Sequence, residues 1–423
     1  MKKIRINNFD EMLYYLKLDN GFEAYLLPLS NIKNYSCCIT VKYGSRDICF
    51  EAFDGKFNMP TGIAHFLEHK MFERKNDPFK FYKKSGTDVN ASTSYDFTNY
   101  YIFGNRNFKN NLSYLVDFIK TIDIDSLDIE KEKGIILEEA SMYKDYHTRV
   151  LNEKIKERVF LKDPYRYKVI GTDEDIKRIK KSDLITSFNS FYNASNMFIT
   201  VVGNFDLDEA VNIIKEKGKS IENRCKVKKI YEEELDKIND KELLLDFNID
   251  IPRQAVAFKF NKKIFNNLNI TKYELDLYLH FLISIGMGPT SLIREKWIKD
   301  NLFLSSMYRI TDTSSYYVIE FICKTNYPDE IKDELIKYLE DIKLDKSSFE
   351  REKKLWISSE IEAITNINTM KYNIIDDVLD YGSFISNKID IIKKLDYNIL
   401  LEIKKVLRFE KHATVKLMPK KRK

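Results

Sequence analysis

Residues 176–202 read IKRIKKSDLITSFNSFYNASNMFITVV, and residues 392–418 read IKKLDYNILLEIKKVLRFEKHATVKLM. Set side by side without gaps, at an offset of 216 residues, Ile179 meets Leu395, Leu184 meets Leu400, Phe191 meets Leu407, Ile199 meets Val415 and Val201 meets Leu417. In each copy, apolar residues at helical spacing give way to a short β-rich run, so a helix leads into a strand that closes its half. This is the signature of an internal duplication.

Working outward, YSCCITVKYGS (35–45), NYYIFGN (99–105) and MFITVVG (197–203) read as strands bounded by turn residues. KNNLSYLVDFIKTI (109–122) and DEAVNIIKEKG (208–218) carry helical periodicity. The expected class is α+β, built as two related α/β domains, each a mixed sheet with helices packed on it. The charged stretch KSIENRCKVKKIYEEELDKINDKEL (219–243) reads as a linker. The division predicted from this is a domain over 1–220, a linker over 221–243 and a second domain over 244–423.

Composition narrows the function classes. The chain has 423 residues, 43% hydrophobic and 32% charged, which suits a globular protein with a large core. Its 70 basic and 65 acidic residues give a formal charge of +5 spread along the sequence, so no nucleic-acid partner is expected. The basic end, KLMPKKRK, reads as a solvated tail. The odd count of five cysteines, none in CxxC spacing, argues against a disulfide framework and a cysteine-ligated metal. The N-terminus lacks the apolar core of a signal peptide, and LYLHFLISIGMG (277–288) is too short for a bilayer span. A cytoplasmic location without membrane contact is the expectation.

The chemistry concentrates at residues 61–72, TGIAHFLEHKMF, where His65, Glu68 and His69 stand as HxxEH. On a helix, positions four apart lie one above the other, so both imidazoles can bind one cation, and neutral histidines suit Zn²⁺. Glu68 borders the same face, placed to accept a proton from water that the metal activates for attack on a peptide carbonyl. A catalytic zinc site needs a third protein ligand. EKEKGIILEEASMYKD (130–145) offers Glu132 and Glu139, seven apart on one helix face, with Glu138 about 100° away. One of the pair can ligate while the other holds a histidine's free N–H.

These stretches, together with NASTSYDFTNYY (90–101), resemble the pitrilysin/insulinase family of zinc metallopeptidases, the inverzincins, and within it the short two-domain members that include mitochondrial processing peptidase and bacterial peptide-maturation peptidases. The resemblance covers most of residues 20–215 and thins to general layout beyond about 245. It implies that the two domains form half of a clam-shaped chamber completed by a second chain. It also implies one Zn²⁺ per chain held by His65, His69 and Glu139, with Glu132 behind them and Glu68 as general base. Asn90 and Ala91 match an edge strand that holds substrate by main-chain pairing.

In the second half, PTSLIREKWIKDNLFLSSMYR (289–309) keeps the family's arginine as Arg294, but Asn301 stands where a tyrosine is expected, leaving Leu304 or Tyr308 as the nearest substitutes. That departure suggests the zinc-bearing member of a heterodimer with a related peptidase-like chain, a homodimer being the alternative. The expected function is a zinc endopeptidase acting on short or unfolded peptides, including the processing of a small ribosomal precursor such as a bacteriocin. The competing expectation is a non-catalytic structural or regulatory subunit of a peptidase heterodimer.

Overall fold

The computed structural model describes residues 1–123, 128–288 and 291–420, so Pro289, Thr290 and the end of the basic tail lie outside the described residues. Two compact units are built from interleaved segments. Met1–Ala140, Lys168–Tyr231 and Ser359–Ile389 make the first, and Ser141–Tyr167, Glu232–Ser358 and Asp390–Lys423 the second.

In the first unit the strands are β1 (Lys2–Arg5), β2 (Met12–Lys17), β3 (Glu23–Pro28), β4 (Tyr35–Val41), β5 (Cys49–Ala52), β6 (Gly55–Asn58), β7 (Asp88–Thr93), β8 (Thr98–Gly104), β9 (Met197–Gly203) and β10 (Lys228–Lys229). Seven of them form a mixed sheet in the order β1-β2-β3-β9-β4-β8-β7, and β10-β5-β6 form a small second sheet. Every residue of β4 and β9 is buried, as suits largely apolar strands covered on both faces, with Ser36, Thr40 and Thr200 as their polar members. The second unit holds β11 (Glu242–Phe247), β12 (Arg253–Asn261), β13 (Ser305–Asp312), β14 (Tyr316–Lys324) and β15 (His412–Pro419), in the order β11-β15-β12-β14-β13.

The duplication is visible in the topology. β9 runs parallel to β3 and antiparallel to β4, while β15 runs parallel to β11 and antiparallel to β12. Beyond them, β8 and β7 extend the first sheet antiparallel, as β14 and β13 extend the second. The helices Lys181–Phe191 and Tyr397–Val406 precede the two closing strands. Two related units of mixed sheet and helices are therefore what the aligned segments encode.

The units are constituted differently from a division at 221–243. The helix Ile367–Tyr381 belongs to the first unit because its apolar stripe, Ile367, Met370, Ile374, Ile375 and Val378, packs with Tyr25, Leu27, Cys38, Phe198 and Val202 of the first sheet. The charged stretch is also more than a connector. β10 pairs with β5, and Glu234, 6% exposed, accepts the N–H groups of Leu161, Lys162 and Asp163 and pairs with Lys259 at 2.6 Å. A carboxylate with three amide donors and an ammonium is fully partnered, which is why it is buried where composition suggested solvent.

Candidate metal centre

The motif helix runs Ile63–Phe72. Gly62 precedes it at φ +85°, and a Cβ there would meet the Ile170 carbonyl oxygen at 2.3 Å, so only glycine allows this entry. The helix buries Ile63, Ala64, Phe66, Leu67, Lys70 and Met71, which leaves His65, Glu68 and His69 on its remaining, half-buried face. The acidic helix runs Ile129–Lys144, buries Ile136 and Ala140, and presents Glu132 and Glu139 half-buried, while Glu138 is exposed. Asp128 caps it, its Oδ1 accepting the Lys131 N–H at 3.0 Å.

The two helices bring the predicted ligands together. Glu139 lies 3.8 Å from His65 Nε2 and 3.6 Å from His69 Nε2, and one donor atom from each of the three residues falls within 4.8 Å of the others. Donors bound tetrahedrally to zinc at about 2.0–2.1 Å stand about 3.3 Å apart, so a small inward movement of these side chains closes the set on an ion. His69 Nδ1 lies 2.9 Å from Glu132 Oε1. With the Nδ1 proton given to that carboxylate, Nε2 keeps a lone pair for a cation. Of the stripe pair, Glu139 is thus the carboxylate among the donors and Glu132 the one behind the ring.

The local electrostatics favour added positive charge. Burial works against ionisation of Glu132, but its bonds to His69 and Lys70 outweigh that and hold the carboxyl below its ordinary range. Burial likewise favours a neutral His69, yet the bond to Glu132 and the charges of Glu68, Glu132 and Glu139 raise its basicity. Glu68 is raised, chiefly by burial, against the opposing influence of Thr93 and His69. With Glu73, which pairs with Lys70, four carboxylates face one ammonium, and a dication would offset most of the surplus negative charge. The donor set and the charge both fit Zn²⁺.

Glu68 is held from the neighbouring sheet. Thr93 Oγ1 donates to Glu68 Oε2 at 2.6 Å. Thr93 ends β7, which among the described residues pairs only with β8 and so leaves one edge of the sheet open beside the carboxylate. Asn90 and Ala91 lie on that strand, and the Ala91 N–H donates to Asn90 Oδ1 at 2.8 Å.

The second-half residues belong to the other unit. Arg294 sits on the helix Leu292–Lys299, its guanidinium 5.9 Å over the Phe303 ring. Asn301 adopts φ +57°, a left-handed conformation after the helix end that asparagine tolerates better than tyrosine. Tyr308 packs against the core of its unit with its hydroxyl 3.4 Å from His280, whereas Leu304 is 48% exposed.

Sequence reasoning missed two contributors. Thr93 looks like any strand residue, and Lys70 looks like a solvated lysine; yet Lys70 is 1% exposed and bonds to the Asp128 carbonyl at 2.9 Å and Glu132 Oε2 at 3.4 Å. The only available signal for it was its position within the motif helix, 100° from His69 on the core side.

Comparison with known proteins bears on the family. Residues 36–173 match the family model described as insulinase (peptidase family M16), and residues 178–355 match the M16 inactive domain. The uncharacterized zinc protease YmfH of Bacillus subtilis is 29% identical over 425 residues, covering 97% of this chain and 96% of that protein. The crystal structure of an M16-like peptidase from Alicyclobacillus acidocaldarius superposes with a TM-score of 0.91 at 24% identity, covering 98% of this chain and 100% of the other. The periplasmic protease PqqL of Escherichia coli has the same fold, with a TM-score of 0.73 at 16% identity, but this chain spans only 48% of its length. Among the described residues no helix is long and apolar enough to cross a membrane. On the two matched models, the full-length likeness to YmfH and the HxxEH geometry, the chain belongs to the insulinase (M16) peptidase family.

Proposed function

We propose that this chain is a zinc-dependent endopeptidase that cleaves short or unfolded peptides, binding one Zn²⁺ through His65, His69 and Glu139. The observation that carries the reading is the contact between Glu68 and Thr93, because it sets the base, the ligand cluster and an open sheet edge side by side. Zinc held there supplies Lewis acidity, acidifying water and polarising the scissile carbonyl. Substrate adds as an extra strand along β7, and Asn90 releases the Ala91 N–H to the incoming backbone. Glu68, fixed by Thr93, takes the proton from the attacking water and passes it to the leaving amine. Glu132 keeps His69 in the orientation and tautomer that ligation needs.

Main-chain pairing tolerates many side chains but demands an extended segment, so folded proteins are poor substrates. Small ribosomal precursors such as bacteriocins fit that demand. Asn301 at the expected tyrosine position supports a partner: a related peptidase-like chain completes the site in a heterodimer, with Arg294 contributing to substrate grip. PqqL, of which this chain matches 48%, is long enough to carry two such halves in one polypeptide. The proposed compartment is the cytoplasm. The test is cleavage of an unstructured peptide mixture by the purified chain, alone and with its related partner. Cleavage that is blocked by EDTA and lost in Glu68→Gln supports the proposal, and undiminished turnover by Glu68→Gln contradicts it.

A further inference from the structure

One residue after the second histidine, a lysine that reads as a surface group is buried and bound to three acceptors. Lys70 reaches the Asp128 carbonyl oxygen at 2.9 Å and Glu132 Oε2 at 3.4 Å, and pairs with Glu73, the residue that caps the C-terminus of its helix. Glu73 in turn accepts the Asp128 N–H at 3.3 Å on Oε1. Both backbone polar groups of Asp128 are therefore held by the C-terminal turn of the motif helix. Asp128 is also the residue that starts the acidic helix, since its side chain accepts the Lys131 N–H and its carbonyl the Glu132 N–H.

We propose that Lys70 and Glu73 form a clamp on Asp128 that sets the register of the acidic helix against the motif helix and so places Glu139 on the two histidines. Glu139 lies two turns beyond Glu132, about 10 Å along a rigid helix. Fixing the start of that helix at a backbone N–H and a carbonyl, together with Glu132, determines where the third ligand arrives. The alternative of a merely space-filling lysine is disfavoured by chemistry: burying an ammonium is costly unless every donor is engaged, and an apolar side chain of similar length would fill the space without that cost. Lys70 is a positioning residue here, acting on the metal through Asp128 and Glu132. The inference rests on the zinc reading above and concerns only how the ligand set is assembled.

The experiment uses the full chain and needs no peptide. Zinc affinity is measured by chelator competition, and the coordination sphere by the visible spectrum of the cobalt(II) form, for wild type, Lys70→Met and Glu73→Gln, with thermal melts of the metal-free proteins as the folding control. The expected result is a folded Lys70→Met whose zinc affinity falls about 10–100-fold, the range seen when groups behind metal ligands are removed, with an altered cobalt spectrum. Glu73→Gln is expected to shift both in the same direction by less. A folded Lys70→Met with wild-type affinity and spectrum overturns the clamp while leaving the zinc site standing. Should Lys70→Met not fold, Glu73→Gln decides, and unchanged zinc affinity in that variant overturns the clamp. A wild-type chain that takes up no zinc overturns the site reading and the clamp together.

Discussion

Replacing Thr93 by valine removes one hydroxyl and preserves the shape and β-branching that suit the strand. The hydroxyl donates to Glu68 Oε2 at 2.6 Å, a charge-assisted bond in a half-buried setting. Bonds of this kind are worth about 1.5–3 kcal/mol. If that energy acts mainly by holding the base where the proton transfer occurs, the barrier rises by the same amount, and kcat falls about 10- to 150-fold. Substrate pairing along β7 uses backbone groups, so KM should change little, and zinc content should stay at the wild-type level. The assay is steady-state cleavage of an internally quenched, unstructured peptide by wild type, Thr93→Val and Thr93→Ser. Serine restores the donor and should recover most of the rate. Wild-type kcat in Thr93→Val would refute the reasoning, and so would equal losses in the valine and serine variants.

Two further outcomes follow from other parts of the structure. Ala91→Pro removes the N–H that Asn90 now holds and that substrate would take; it should raise KM at least tenfold for unstructured peptides while leaving zinc uptake intact, and equal KM values would remove β7 as the docking edge. His280, packed between Tyr308 and Trp356, is pushed down to about 4 by burial. Because its folded value lies below its unfolded one, the unfolded chain binds the proton first; the stability is present above about pH 6.5 and is lost as pH falls toward 4, by about 2 kcal/mol after allowing for partial exposure. Melting temperatures of wild type and His280→Phe, measured from pH 7 to pH 4.5, should show a flatter acid side in the variant, and parallel curves would contradict this.

The legible parts of the molecule were those fixed by local periodicity. HxxEH places two imidazoles and a carboxylate on one face through helix geometry alone, and the seven-residue spacing of Glu132 and Glu139 does the same on the acidic helix. The repeat at 176 and 392 reported the equivalent helix-to-strand passages because each is a local unit. What escaped depends on contacts between distant segments. Nothing in residues 359–389 announces that Ile374 and Ile375 will pack against Cys38 and Phe198, since an amphipathic helix shows that it needs a partner without naming it. Lys70 and Glu234 read as solvent-facing charges because burial of a charge depends on partners that sequence does not place. Choosing Glu139 over Glu132 as ligand required the family resemblance, because helix geometry puts both carboxylates on one face; in the structure Glu139 lies 3.8 and 3.6 Å from the two Nε2 atoms and Glu132 lies 2.9 Å from His69 Nδ1.

The most direct measurement is a zinc titration of the metal-free chain in the presence of its related partner, following peptide cleavage and bound metal together, in wild type and in Glu139→Gln. Activity should rise in proportion to zinc and stop at one equivalent per chain, and in the variant it should neither return nor be accompanied by tight zinc uptake. Cleavage by the metal-free chain, or tight zinc binding that survives Glu139→Gln, would contradict this.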